Sequence, residues 1–132
     1  MSDRPHGEIL LTTQGNILIA QYIGMFNLDG MQLGVQAMQT AIAQFAGEPF
    51  AMLIDDLQVE GGTPEAYEAL EAFNQWLISQ NMVAKATVIT SKVKLKIIDS
   101  LVASRKKQNH QAFTTMSDAI SWLTEQLNQA KG

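Results

Sequence analysis

The chain reads as an α/β protein with the order β-β-α-β-α-β-α-β-α: a mostly parallel or mixed sheet with helices packed on it. Three observations predict this class. Apolar runs of strand length alternate with stretches whose apolar residues recur at three- and four-residue spacing. The first two runs are joined by Gln14-Gly15, a turn signal that makes them a hairpin and so adds one antiparallel edge. Between Phe50 and Leu77 a short apolar strand, a polar Gly-rich turn and a capped amphipathic helix follow one another directly. The carboxyl end of such a strand is where open α/β sheets place their sites.

The elements can be justified in order. Glu8–Thr13 and Asn16–Ile23 are the hairpin strands; the second is apolar on both faces, as a covered central strand is, and Gly24 ends it. Asn27 is an N-cap with Asp29 in the first turn, where the helix dipole favours a negative charge. Leu28, Met31, Val35, Met38, Ile42 and Phe45 then make one buried stripe, with Met25, Met31 and Met38 filling core gaps. Phe50–Leu57 is the third strand, closed by Asp55 and Asp56. Thr63, Pro64 and Glu65 stand in the order of a helix start, followed by the buried stripe Ala66, Leu70, Phe73 and Leu77, with Glu65, Glu68 and Glu71 outward. Ala84–Thr90 is a strand, Val93–Lys107 a helix, His110–Thr114 a short strand, and Ser117 caps a last helix facing inward through Ile120, Leu123 and Leu127.

Composition excludes several classes of function. A chain of 132 residues is expected to form one domain, with residues 1–7 as a flexible tail. Hydrophobic residues at 46% and charged residues at 17% describe a globular protein rather than a disordered one. No apolar run reaches the roughly 18–20 residues that cross a bilayer. The start, MSDRPHGEILL, lacks the apolar core of a secretion signal, so the cytoplasm is the expected compartment. The absence of cysteine removes disulfides, thiol chemistry and zinc–thiolate sites. A net charge of -4 argues against nucleic-acid binding, which needs a basic footprint.

The order of elements, the strand ending in Leu53-Ile54-Asp55, the polar turn after it and the closing Phe113…Ser117-Asp118-Ala119-Ile120…Leu123 together resemble the STAS fold, and within it the SpoIIAA-like group. The resemblance covers about Glu8 to Leu127. It implies a non-catalytic regulatory module that binds a protein partner, as the anti-sigma factor antagonist of that group does. In the antagonists the turn carries an Asp-Ser-Gly-type motif whose serine the partner kinase phosphorylates. Here the turn reads Val59-Glu60-Gly61-Gly62-Thr63-Pro64-Glu65, and Thr63 is its sole hydroxyl. A relation of the group to CRAL-TRIO folds implies, as an alternative, a pocket for a small apolar, lipid-like ligand.

Two sets of candidate residues follow. The partner-binding edge and candidate switch comprise Asp55, Asp56, Glu60, Gly61, Gly62, Thr63, Glu65 and Glu68; the apolar-ligand set comprises Met25, Phe26, Met31, Tyr67 and Trp76. Thr63 reads either as a phosphate-accepting hydroxyl at a helix N-terminus or as a structural cap. Asp55 and Asp56 are adjacent on a strand and so point to opposite faces, which does not suit a shared magnesium ion. His6 belongs to the expected tail and His110 starts a strand, neither with a nucleophile or a metal-ligand spacing nearby. Gly61-Gly62 is not a phosphate loop. The expectation is therefore no enzyme, no cofactor and no metal. Charge is segregated: Asp55 to Ala84 carries acids and no bases, whereas Lys85 to Lys107 carries seven bases against Asp99 alone. Solvated faces explain this pattern, as does docking to a charged partner or to a second copy.

Overall fold

A computed structural model describes residues 4–102, 104 and 107–131. Its elements are β1 (Glu8–Gln14), β2 (Ile17–Phe26), α1 (Leu28–Ala43), β3 (Phe50–Gly62), α2 (Pro64–Ile78), β4 (Met82–Val88), α3 (Lys92–Leu101), β5 (His110–Phe113) and α4 (Met116–Lys131). The five strands lie side by side in chain order. β1 is antiparallel to β2 and the other three pairings are parallel, as the hairpin and the alternation of elements predict.

Residue parity on β3 divides the core. Phe50, Met52 and Ile54 pack with Leu18, Tyr22, Met31, Met38, Phe73 and Leu77 beneath α1 and α2. Ala51 and Leu53 pack with Ala84, Ala86, Val88, Ala119, Leu123 and Leu127 beneath α4. α3 sits apart from both layers, with Ile98 and Val102 against Tyr67 and Ile89.

Several boundaries differ from the sequence reading, each for a local reason. Gly24 does not end β2. Its positive φ of 85° and register shifts near Gln21 and Gly24 let the strand bulge and run on, so that Phe26 pairs with Gly62. Consequently β3 extends through the expected turn, and Asp55 and Asp56 lie within it. Leu28, placed in the buried stripe of α1, is exposed, and Phe45 follows the helix and stacks on Phe50 at 5.1 Å. Met25 is not a core filler but 53% exposed. α3 stops at Leu101, well short of Lys107; Ala103, Arg105 and Lys106 lie outside the described residues. The last helix is capped by Thr115, whose Oγ1 accepts from the Asp118 amide at 3.2 Å, two residues before Ser117.

Of the expected tail, Met1–Asp3 lie outside the described residues, and Arg4–Gly7 are docked. The Asn27 side chain accepts from the His6 amide (2.9 Å) and donates to the Arg4 carbonyl (2.8 Å) while its Oδ1 also caps α1 through the Gly30 amide. Gly30 makes this approach possible, since a Cβ there would fall 1.8 Å from the His6 carbonyl oxygen.

Candidate functional site

The carboxyl end of β3 and the first turns of α2 carry the predicted edge. Thr63 Oγ1 accepts from the Ala66 amide at 3.2 Å, and the Thr63 amide donates to the Phe26 carbonyl at 2.9 Å. The hydroxyl therefore serves as an N-cap, and the backbone is tied to β2 from the other side. Gly62 lies under the Tyr67 ring: a Cβ would meet Tyr67 Cε2 at 3.2 Å and the Phe26 carbonyl oxygen at 3.3 Å. Gly61 has φ 145°, a conformation that suits glycine. On this frame Glu60, Glu65 and Glu68 are each exposed, acids on both sides of the β3–α2 junction.

The two aspartates part as strand geometry demands. Asp55 belongs to the face that α4 covers, and its Oδ1 accepts from the Leu57 amide at 3.1 Å. Asp56 turns the other way, into a small chamber between the sheet and α1, α2 and α3. The chamber's apolar wall includes Tyr22, Phe26, Met31, Ile54, Phe73 and Ile98, and its polar end is Asp56, Asn74, Lys85 and Thr87. Of the apolar-ligand candidates, Phe26, Met31 and Tyr67 line it. Met25 lies outside, over Gly61, and Trp76 stacks on Phe73 at 5.7 Å away from the chamber.

Of this polar end sequence reasoning singled out Asp56 but not Asn74, Lys85 or Thr87. Lys85 is 3% exposed, and its Nζ donates to Asn74 Oδ1. Gln108 Nε2 donates to the same Oδ1 at 3.1 Å, and Asn74 Nδ2 returns to the Leu70 carbonyl at 2.9 Å. Thr87 Oγ1 lies 2.8 Å from His110 Nε2, so β5 is joined to the cluster. Burial, and then the Asp56 carboxylate, push the Tyr67 phenol above its usual pKa. The signals were present: a lysine inside the small apolar run of β4, and an asparagine beside Phe73 on the buried face of α2.

The chamber encloses about 30 Å³, room for about one water molecule and far less than a lipid needs. Beyond it, Glu71 clamps the chain after α3. Its Oε1 accepts from the Ser104 amide at 2.9 Å and from Ser104 Oγ at 2.8 Å. Desolvation raises the Glu71 pKa, but these bonds, the Gln75 amide and the charge of Lys107 outweigh it, and the net shift is downward. Among the described residues no group of three or more His, Cys, Asp and Glu side chains could hold a metal ion. None of the described helices is long and apolar enough to cross a membrane.

The sequence matches no protein-family model and no curated protein. The fold is similar to that of an uncharacterized DUF3478-family protein with a SpoIIAA-like fold from Shewanella loihica PV-4, with a TM-score of 0.69 and 13% identity over 93% of this chain and 98% of that one. It is also similar to an anti-sigma factor antagonist from Mycobacterium paratuberculosis, with a TM-score of 0.67 and 17% identity over 94% of this chain and 99% of that one. The anti-sigma factor antagonist SpoIIAA in its unphosphorylated form gives a TM-score of 0.57 and 8% identity over 94% and 98%. The chain thus has the SpoIIAA-like α/β fold that its pattern of elements resembles.

Proposed function

We propose that this SpoIIAA-like protein is a non-catalytic regulatory module of the cytoplasm that docks a protein partner through Glu60, Glu65 and Glu68. The observation that carries the reading is the acidic edge itself. Exposed carboxylates stand at the end of β3 (Glu60) and on the first turns of α2 (Glu65 and Glu68), at a junction fixed by the Thr63 cap, Pro64 and the close seat of Gly62 under Tyr67. Exposed acids on a fixed backbone suit a basic partner surface, because complementary charge steers encounter and fixes register. Two of the structural neighbours are anti-sigma factor antagonists, which supports a protein partner as the occupant. The enclosure of Asp56, Tyr67 and Lys85 around so small a space supports a role without catalysis.

The test is retention of a stoichiometric partner from the cells that make this protein, on immobilised wild type and on Glu65→Lys/Glu68→Lys. Both glutamates are exposed, so the fold should survive reversal. The reading predicts a partner, or a second copy of this chain, that the double variant loses. Equal retention by both proteins refutes the edge as the contact.

A second reading rests on the chamber, whose apolar wall and hydrogen-bonded polar end have the lining of a small-ligand site. In this conformation it admits only a water-sized occupant, so a lipid-like ligand requires α3 to move outward. Native mass spectrometry compared with the denatured mass tests it: a non-covalent adduct supports the ligand, and identical masses refute it.

A further inference from the structure

α3 presents an apolar stripe to solvent. Val93 is 69% exposed, Ile97 50% and Leu101 44%, and these three positions recur every four residues on one face. The buried side of the same helix is carried by Ile98, with Leu95 and the following Val102 packed alongside it. In sequence Lys92-Val93-Lys94-Leu95-Lys96 alternates like a strand, but wound at 3.6 residues per turn it gathers differently. Lys92 and Lys96 fall on one flank of the stripe, with Asp99 behind them, and Lys94 on the other; all three lysines are exposed, and Lys94 Nζ donates to the Val59 carbonyl at 3.0 Å. A hollow beside the stripe, lined by Val59, Glu60, Gly61, Lys94 and Ile97, extends the surface towards Met25, whose thioether lies over Gly61. Glu60 is the carboxylate at this margin and shares the hollow with Lys94.

We infer that the exposed face of α3 lies on an anionic lipid surface. The residue types favour lipid over protein. Energetic centres of protein interfaces draw on Trp, Tyr and Arg, and interfaces are depleted of Lys. This stripe consists of branched aliphatic residues edged on both sides by lysines. The butyl stems of Lys92 and Lys96 can lie along the acyl boundary while their ammonium groups reach the headgroup phosphates, and Lys94 is held to the Val59 carbonyl. With no acidic residue in its first turn, the helix meets the anionic surface at its basic end. The lysines supply the attraction and the stripe supplies the insertion, so both are needed.

The experiment is co-sedimentation of the whole protein with vesicles of phosphatidylcholine alone and with vesicles of phosphatidylcholine and phosphatidylglycerol in equal parts, at low and high salt. Binding should require phosphatidylglycerol and weaken steeply with salt. Lys92→Gln/Lys96→Gln should reduce it about 25-fold, at about fivefold per lysine near an anionic surface. Ile97→Ser should reduce it about tenfold from the lost apolar burial; the position is half-exposed, and circular dichroism checks that the fold is kept. No sedimentation with either vesicle overturns the proposal, as does binding indifferent to both sets of substitutions. If vesicles fail to bind but the same substitutions release the partner retained by wild type, the stripe is a protein contact and the lipid assignment is wrong. Glu65→Lys/Glu68→Lys should leave vesicle binding intact or raise it, which separates this surface from the acidic edge.

Discussion

Replacing Lys85 by methionine tests the closed chamber directly. Lys85 is 3% exposed and donates to Asn74, itself 1% exposed, beside the buried carboxylate of Asp56. Removing the ammonium takes away a charge-assisted hydrogen bond worth about 1.5–3 kcal/mol. It also leaves Asp56 lining the same chamber without that cation. Methionine keeps most of the alkyl stem, so a cavity adds little. Gln108 still reaches Asn74 Oδ1 at 3.1 Å, so the amide is not orphaned. The expected loss is therefore that of the charge-assisted bond, about 1.5–3 kcal/mol. Urea unfolding followed by tryptophan fluorescence reads it, because Trp76 reports the α1/α2 layer and Trp122 the α4 layer. Asp56→Asn/Lys85→Met removes both charges and should recover at least about half of the loss. A Lys85→Met protein within about 0.5 kcal/mol of wild type, the range of an ordinary surface change, would refute the reasoning.

Three further outcomes are expected. Thr63→Ala should lower stability by about 1 kcal/mol in the same assay, and Thr63→Ser should restore most of it; a neutral Thr63→Ala would mean that the cap contributes nothing. Gly30→Ala should displace Arg4–Gly7 from α1, seen as faster amide exchange at His6, whose N–H is bonded to Asn27; unchanged exchange would show that the segment accommodates the methyl group. Glu71, with its folded pKa lowered below the ordinary carboxylate value, contributes stability that is present above the unfolded pKa and lost as pH falls through the lowered value. The wild-type midpoint should therefore fall more steeply with acidification than that of Glu71→Gln, and parallel pH profiles would count against the Ser104 clamp.

Much of the architecture was legible because the deciding signals are local. Gln14-Gly15 closes a hairpin, Asn27 and Thr63 satisfy helix N-termini, and Asp55 and Asp56 diverge by strand parity alone. The acidic edge was legible for the same reason, since Glu65 and Glu68 fall on the outward face of an amphipathic helix. What escaped depends on distant pairing. Lys85 reads as a solvent-facing strand residue until Asn74, eleven positions away on α2, is brought over it. Met25 reads as core until the bulge near Gly24 turns it outward. The helix from Val93 was legible, but not which of its apolar residues pack inward: Ile98 and Val102 meet Tyr67 and Ile89, whereas Ile97 and Leu101 stay exposed.

The central claim is that the β3–α2 edge is where this protein meets its partner. Hydrogen-exchange mass spectrometry of the chain alone and saturated with the retained partner tests it most directly. The account predicts protection concentrated on the backbone from Glu60 to Glu68, with α4 unchanged. Protection confined to α4 or to β1, with the Glu60–Glu68 segment exchanging as in the free chain, would contradict it.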